Sequence, residues 1–246
     1  MTNNSDNPVL SEQGQKTLIL WCAGFTIIFA VTWFFLLKMA PPPPPTLSPE
    51  EMAAFFQENR FSILLGAMIC SWVAAQMVPF WALVATQMYR LEKSHGLPIW
   101  TVITVMGGAL MSMFLVFPPI LWGVIAYSAD RTPELSMMLM EVASLTLVTT
   151  DQFYIFAQVA LSVVILRYPM DELSPFPRWY GWFNLWVAIA FEVGAVSFMT
   201  KTGPFAWDGV LVFWMPFVLF FAWIPVTLWL LWQGVSRQQA AKLAAA

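Results

Sequence analysis

The sequence predicts an all-α fold: a polytopic transmembrane helical bundle with six spans and one short interfacial helix. Three observations carry this. Of the 246 residues, 59% are hydrophobic and only 10% charged, against about 25% charged in ordinary soluble domains. The apolar residues come in six long blocks, each near or above the roughly 20 helical residues that cross a hydrocarbon core of about 30 Å. The blocks are continuous, without the alternation over about ten residues that a membrane β-barrel shows. Backbone groups in hydrocarbon must pair internally, so the blocks are read as helices.

The spans are placed at about 17–39, 62–89, 98–127, 135–166, 179–200 and 209–233, within a membrane domain 17–236 flanked by tails 1–16 and 237–246. The first block is not read as a secretory signal: it is long, its leader Met1–Lys16 is acidic as well as basic, and no small-residue cleavage site follows. Lys and Arg in the flanks set orientation. One side collects Lys16, Arg90, Lys93, Arg167, Arg178, Arg237 and Lys242; the other has Lys38, Arg60, Arg131 and Lys201. Seven against four puts both termini in the cytoplasm and the protein in the inner (plasma) membrane. Trp100, Trp122, Trp179, Trp207 and Trp232 near span ends fit an interfacial belt.

The longest connection, residues 40–61, lies outside. Pro41 to Pro45 form a run that reads as a polyproline II spacer. Ser48-Pro49-Glu50-Glu51 is a capping box with proline at the first helical position. The short helix it starts gathers Met52, Phe55 and Phe56, as a helix lying in the interface would. Thr132-Pro133-Glu134 opens the fourth span by the same logic, and Pro169, Pro175 and Pro177 stiffen the loop before the fifth. Gly203-Pro204 marks a turn in the last outer loop, with Phe205 and Trp207 at the interface. Pro79, Pro118, Pro119, Pro216 and Pro225 are expected to kink or locally open their spans. Gly107-Gly108 permits close helix packing. No residue string recurs, so an inverted repeat finds no support.

Three carboxylates lie inside the spans: Glu141 and Asp151 in the fourth, Glu192 in the fifth. At about 1.5 Å per residue, Asp151 lies about 24 Å from the flank at Arg167, Glu192 about 21 Å from Arg178, and Gln76 about 21 Å from Arg90. These three therefore share a level near the middle of the bilayer, with Thr32, Ser112, Thr149, Thr150 and Gln152 at similar depth. Glu141 is higher, at the outer interface. An ionised acid at mid-membrane costs at least about 2.5 kcal/mol, and no span carries an intramembrane Lys, Arg or His as counter-charge. Asp151, Glu192, Gln76 and Glu141 are thus the candidate substrate or proton sites; the structural alternative is that the acids bond polar side chains of neighbouring helices. Trp72, Trp186, Phe191, Trp214 and Trp223 are candidates to line a cavity.

Several functions are excluded. A net charge of −3 without a basic stripe gives no nucleic-acid surface. Walker, dinucleotide and nucleophile-elbow motifs are missing. The one histidine, His95, falls in a loop and is read as solvated. Cys22 and Cys70 sit in apolar runs as small buried hydrophobes, so no metal, haem or other cofactor is expected. The stretches Arg167-Tyr168-Pro169, Phe176-Pro177-Arg178-Trp179, Phe183-Asn184-Leu185-Trp186 and Lys201-Thr202-Gly203-Pro204-Phe205-Ala206-Trp207 resemble a group of bacterial multi-pass integral membrane proteins with no established function. The resemblance covers the last third and more loosely the rest, and it implies no site residue.

Three functions compete. The first is a bundle that binds or moves a small apolar or weakly polar molecule, with mid-membrane carboxyls as protonatable groups. The second is an intramembrane enzyme using a protonated carboxyl as general acid on an isoprenoid- or sterol-like substrate. The third is an accessory subunit of a membrane complex or oligomer. An aqueous path to the acids favours the first, an acid at the end of an apolar pocket the second, and acids on the outer surface of the bundle the third. The orientation is tested by labelling cysteines introduced singly: those at Ser94 and Ser174 should react only from the cytoplasm and those at Thr46 and Thr202 only from outside. The reverse pattern contradicts the charge argument.

Overall fold

The structure, a computed structural model, describes residues 11–128, 131–149, 152–169 and 171–245. Its described residues form seven helices and no strand. Helix α1 runs Glu12–Leu37, α2 Pro49–Glu58, α3 Arg60–Glu92 and α4 Ile99–Tyr127. Helix α5 is seen as Pro133–Thr149 and Gln152–Arg167; α6 spans Arg178–Met199 and α7 Val210–Ala244. All but α2 are long and apolar enough to cross a membrane. The chain is a multi-pass helical membrane protein.

The helices begin where the caps predict. Ser48 accepts the Glu51 amide while Glu51 reaches back to the Ser48 amide, at 3.2 and 2.8 Å. Met52 and Phe56 on the inner face of α2 are buried, and α2 lies on the start of α5 and the end of α4. Arg60 donates to the carbonyls of Ala126 and Tyr127 at 3.0 and 2.9 Å, placing a cation at the negative end of α4. The proline run carries no regular helix or strand. It is tied down by Trp207, whose indole N–H donates to the Pro43 carbonyl at 2.9 Å.

Two span ends differ from expectation. The tail 237–246 is helical through Ala244, and α1 begins at Glu12 inside the expected tail 1–16. Hydropathy marks only the stretch that faces hydrocarbon, whereas these helices run on past it. Side chains join them there: Lys16 donates to Gln239 at 2.8 Å, and Gln87 bridges Gln15 and Gln238 at 2.9 and 2.8 Å.

Five spans are reached by departures from α geometry or by undescribed residues, and two departures have a proline behind them. Pro79 has no N–H to give the Ala75 carbonyl, and α3 tightens to a 3₁₀ turn at Ala74–Gln76. Pro216 deprives the Val212 carbonyl, and α7 starts with a π turn at Val210–Trp214. A second π turn, Thr32–Leu37, closes α1, and α6 ends in 3₁₀ turns over Val193–Met199. Pro118, Pro119 and Pro225 stay inside continuous helix.

Helix α4 is central, packed on both halves of α3 and of α5. Glycines make this approach possible. A Cβ on Gly108 would stand 2.1 Å from Cγ of Trp81, and one on Gly107 would stand 2.5 Å from the Phe153 carbonyl oxygen. Gly108→Ala should therefore cost about 1–3 kcal/mol of stability through overpacking. Gly24→Ala, where nothing lies within 4 Å, should be neutral or stabilise α1 by up to about 1 kcal/mol. Unfolding of the two variants in detergent checks the contrast; equal effects contradict this packing.

Candidate functional site

Between α1, α4, α5, α6 and α7 the bundle encloses an apolar cavity of about 700 Å³, counted out to its mouth. It occupies the half of the bundle away from the termini. Both π turns build its wall: Trp33 comes from the one in α1, and Val212 and Phe213 from the one in α7. A π turn widens the helix by one residue and turns side chains that an α-helix would aim elsewhere, and such turns are frequent at functional sites. Met111 and Leu115 of α4, Val148 of α5 and Phe191 of α6 complete the enclosure.

The floor is aromatic. Tyr154 and Phe220 line it, with Trp223 sealed behind them at 0% exposure. The Trp223 ring lies 5.4 Å from Tyr154, 5.4 Å from Trp81 and 4.9 Å from Phe80, centroid to centroid. Its indole N–H donates to the Asn184 side-chain oxygen at 2.8 Å. The Asn184 amide in turn donates to the Tyr180 carbonyl at 2.7 Å. The Thr227 hydroxyl donates to the Trp223 carbonyl at 2.8 Å and is bonded by the Tyr180 hydroxyl. Tyr180, Asn184, Trp223 and Thr227 are all fully buried, so this network closes α6 onto α7 with its polar atoms paired, as a hydrocarbon surrounding demands.

Of the predicted lining residues, Phe191 stands in the wall and Trp223 directly beneath the floor. Trp214 is half-buried and packs edge-on to Phe213 and Phe217, behind the wall. Trp72 and Trp186 turn outward, 68% and 70% exposed. Each lies on its helix opposite the buried stripe, which is Ile63, Gly66, Ala67, Cys70 and Val73 in α3 and Tyr180, Gly181, Asn184, Val187 and Ala188 in α6.

Of the candidate acids, Glu141 and Glu192 fall among the described residues, and neither is buried as Gln76 is. Asp151 and Thr150 lie outside the described residues. Glu192 is exposed on the outer surface of α6, while its neighbour Phe191 points inward. Gln76 is buried in the 3₁₀ turn of α3, and neither atom of its amide has a partner among the described residues. Glu141 pairs with Lys201 at 2.6 Å at the end of the bundle away from the termini, where a partly exposed pair contributes about 0–1 kcal/mol. Among the described residues no group of three or more His, Cys, Asp or Glu side chains is placed to hold a metal.

Tyr180, Asn184 and Thr227 were not singled out from the sequence. The signal was present: Tyr180 and Asn184, and Trp223 and Thr227, are polar-tipped pairs four apart in apolar spans, which puts each pair on one face.

The described lining can therefore hold an apolar body between aromatic faces. It includes the Tyr154 ring, and it carries the Trp33 indole, whose N–H is already given to the Met39 carbonyl at 2.9 Å. No carboxyl, thiol or imidazole appears in it. Neither a protein-family model, nor a curated protein, nor a solved structure matches the chain.

Proposed function

We propose that this protein binds a small apolar or weakly polar molecule drawn from the surrounding lipid, in the cavity floored by Tyr154 and walled by Phe191 and the start of α7. The observation that carries the reading is the cavity itself: an aromatic-lined space in the half of the bundle away from the termini, formed by five of the six spans. A guest that leaves lipid tails gains little hydrophobic free energy, because the tails are as apolar as the wall. Selection then rests on shape and on dispersion against the aromatic faces. The protein acts in the inner membrane with both termini cytoplasmic, in keeping with the Lys and Arg distribution. The enzyme reading has less support, since the described lining brings no acid to the pocket.

A specific observation favours a second reading, that of an accessory subunit. Glu192 lies on the outer surface of α6, whose face also exposes Trp182, Trp186 and Ile189. The two exposed indoles on that face suit a partner helix.

One experiment separates the two. A small apolar diazirine is photoactivated in native membranes and the labelled residues are mapped. Binding in the cavity predicts label on Tyr154, Phe213 and Phe217, and its loss when Leu115→Trp fills the space. A guest at one hundred times its dissociation constant should also stabilise the purified protein by about 2.7 kcal/mol. Label confined to the perimeter and unchanged by Leu115→Trp overturns the proposal. A subunit interface predicts instead that Trp182 and Trp186 are shielded in membranes and labelled after purification.

A further inference from the structure

Directly on the termini side of the cavity floor, three polar side chains are sealed in the bundle without a partner among the described residues. Trp81 is 1% exposed, and Thr104 and Gln158 are 0% exposed. The Trp81 indole nitrogen, the Thr104 hydroxyl and both atoms of the Gln158 amide find no hydrogen-bond partner among the described residues. Ser162 does not serve Gln158, because its hydroxyl goes to the Gln158 main-chain carbonyl at 2.8 Å.

The register of the helices puts the three within about one helical turn of each other. Helix α4 runs antiparallel to the second halves of α3 and α5. Gly108 of α4 lies under the Trp81 ring, and Gly107 lies against Phe153 and Ala157 of α5. One turn toward the termini from Gly108 is Thr104. One turn the same way from Tyr154 is Gln158, on the face that Tyr154 turns toward Trp81 with ring centroids 6.2 Å apart. The two glycines thus draw α3 and α5 onto α4 where all three side chains converge.

Unpaired polar groups are costly in this surrounding, and buried ones in native proteins are met by protein or by ordered water. The group supplies three donors and two acceptors, all neutral: the indole N–H, the hydroxyl as both, and the amide N–H₂ and oxygen. With no charged side chain among them, the set suits a ligand that both donates and accepts. A buried water makes about three such bonds and needs two to four polar partners.

We propose that Trp81, Thr104 and Gln158 form an internal hydration site between α3, α4 and α5. The site is distinct from the apolar cavity and holds whether or not that cavity has a guest. It stands in a polar line through the bundle. Thr101, one turn beyond Thr104, gives its hydroxyl at 2.8 Å to the buried Glu92 carboxylate, and Tyr154 stands at the other end, on the cavity floor. Glu92 itself accepts the amides of Trp100 and Thr101, both at 2.9 Å, at the start of α4.

X-ray radiolysis tests this in the purified full-length protein. Hydroxyl radicals born from a bound water oxidise the side chains it touches, even where bulk solvent is excluded, and mass spectrometry reads the modified residue. Trp81 should be oxidised severalfold faster than Trp33, which is as deeply buried (3% exposed) with its N–H bonded to a carbonyl. Gln158→Leu, close in shape but apolar, should bring Trp81 down to the Trp33 rate. Should that variant fail to fold, Thr104→Val removes the hydroxyl at constant shape and should lower the rate likewise. Oxidation of Trp81 no faster than Trp33 in the unaltered protein overturns the proposal, as does a rate that a folded variant leaves unchanged.

Discussion

The bundle closes on one side chain. Trp223 of α7 touches Phe80 and Trp81 of α3 and Tyr154 of α5 with its ring, and Asn184 of α6 with its N–H. Four of the six spans therefore meet at one indole. Its N–H cannot be left unmet in hydrocarbon, and the Asn184 oxygen is the acceptor provided. That oxygen is held in place because the other end of the amide donates to the Tyr180 carbonyl, which fixes which way the group points. The hydroxyls of Tyr180 and Thr227 complete the set. Nothing polar in this network is left over, so it both positions the rings and seals them.

The cavity follows from where this seal stops. Toward the termini, glycines draw α3 and α5 onto α4, and the interior fills with side chains. Away from the termini, α1 and α7 widen into π turns and α6 tightens into 3₁₀ turns. Fewer helices there keep the regular face that close packing needs, and an apolar space is left between aromatic walls. Proline contributes directly, since Pro216 sits just past the π turn that supplies Val212 and Phe213 to the wall. At the outer surface, Trp207 ties the last loop to the proline run of the first. The far ends of the spans are thus held by loops, and the near ends by the glutamine contacts of α1, α3 and α7 and by the Lys242–Glu12 ion pair at 3.4 Å between α7 and α1.

The spans were legible because hydrocarbon imposes length and composition on a segment regardless of its neighbours. The Ser48–Glu51 capping box was legible because it is local, and Gly107-Gly108 because only small residues permit such approach. Direction was not legible. A helix turns by about 100° per residue, so a count that fixes the level of position 192 leaves its side open. The chain answers with adjacent residues, Phe191 turned inward and Glu192 outward. Trp72 and Trp186 escaped for the same reason. The π and 3₁₀ turns compound the error, since each rotates everything beyond it. Helix ends past the bilayer were hidden because Gln15, Gln238 and Lys242 carry no hydropathy signal.

If the meeting of spans at Trp223 holds the bundle together, its bond to Asn184 must be worth more than either side chain alone reveals. A double-mutant cycle of Trp223→Phe and Asn184→Leu, read as unfolding free energy in bicelles, measures this directly. Interhelical hydrogen bonds in membranes average about 0.6 kcal/mol and reach about 1.7. The closed network around this pair predicts a coupling in the upper part of that range, about 1 kcal/mol or more. Strictly additive losses, with no coupling between the two positions, contradict the account.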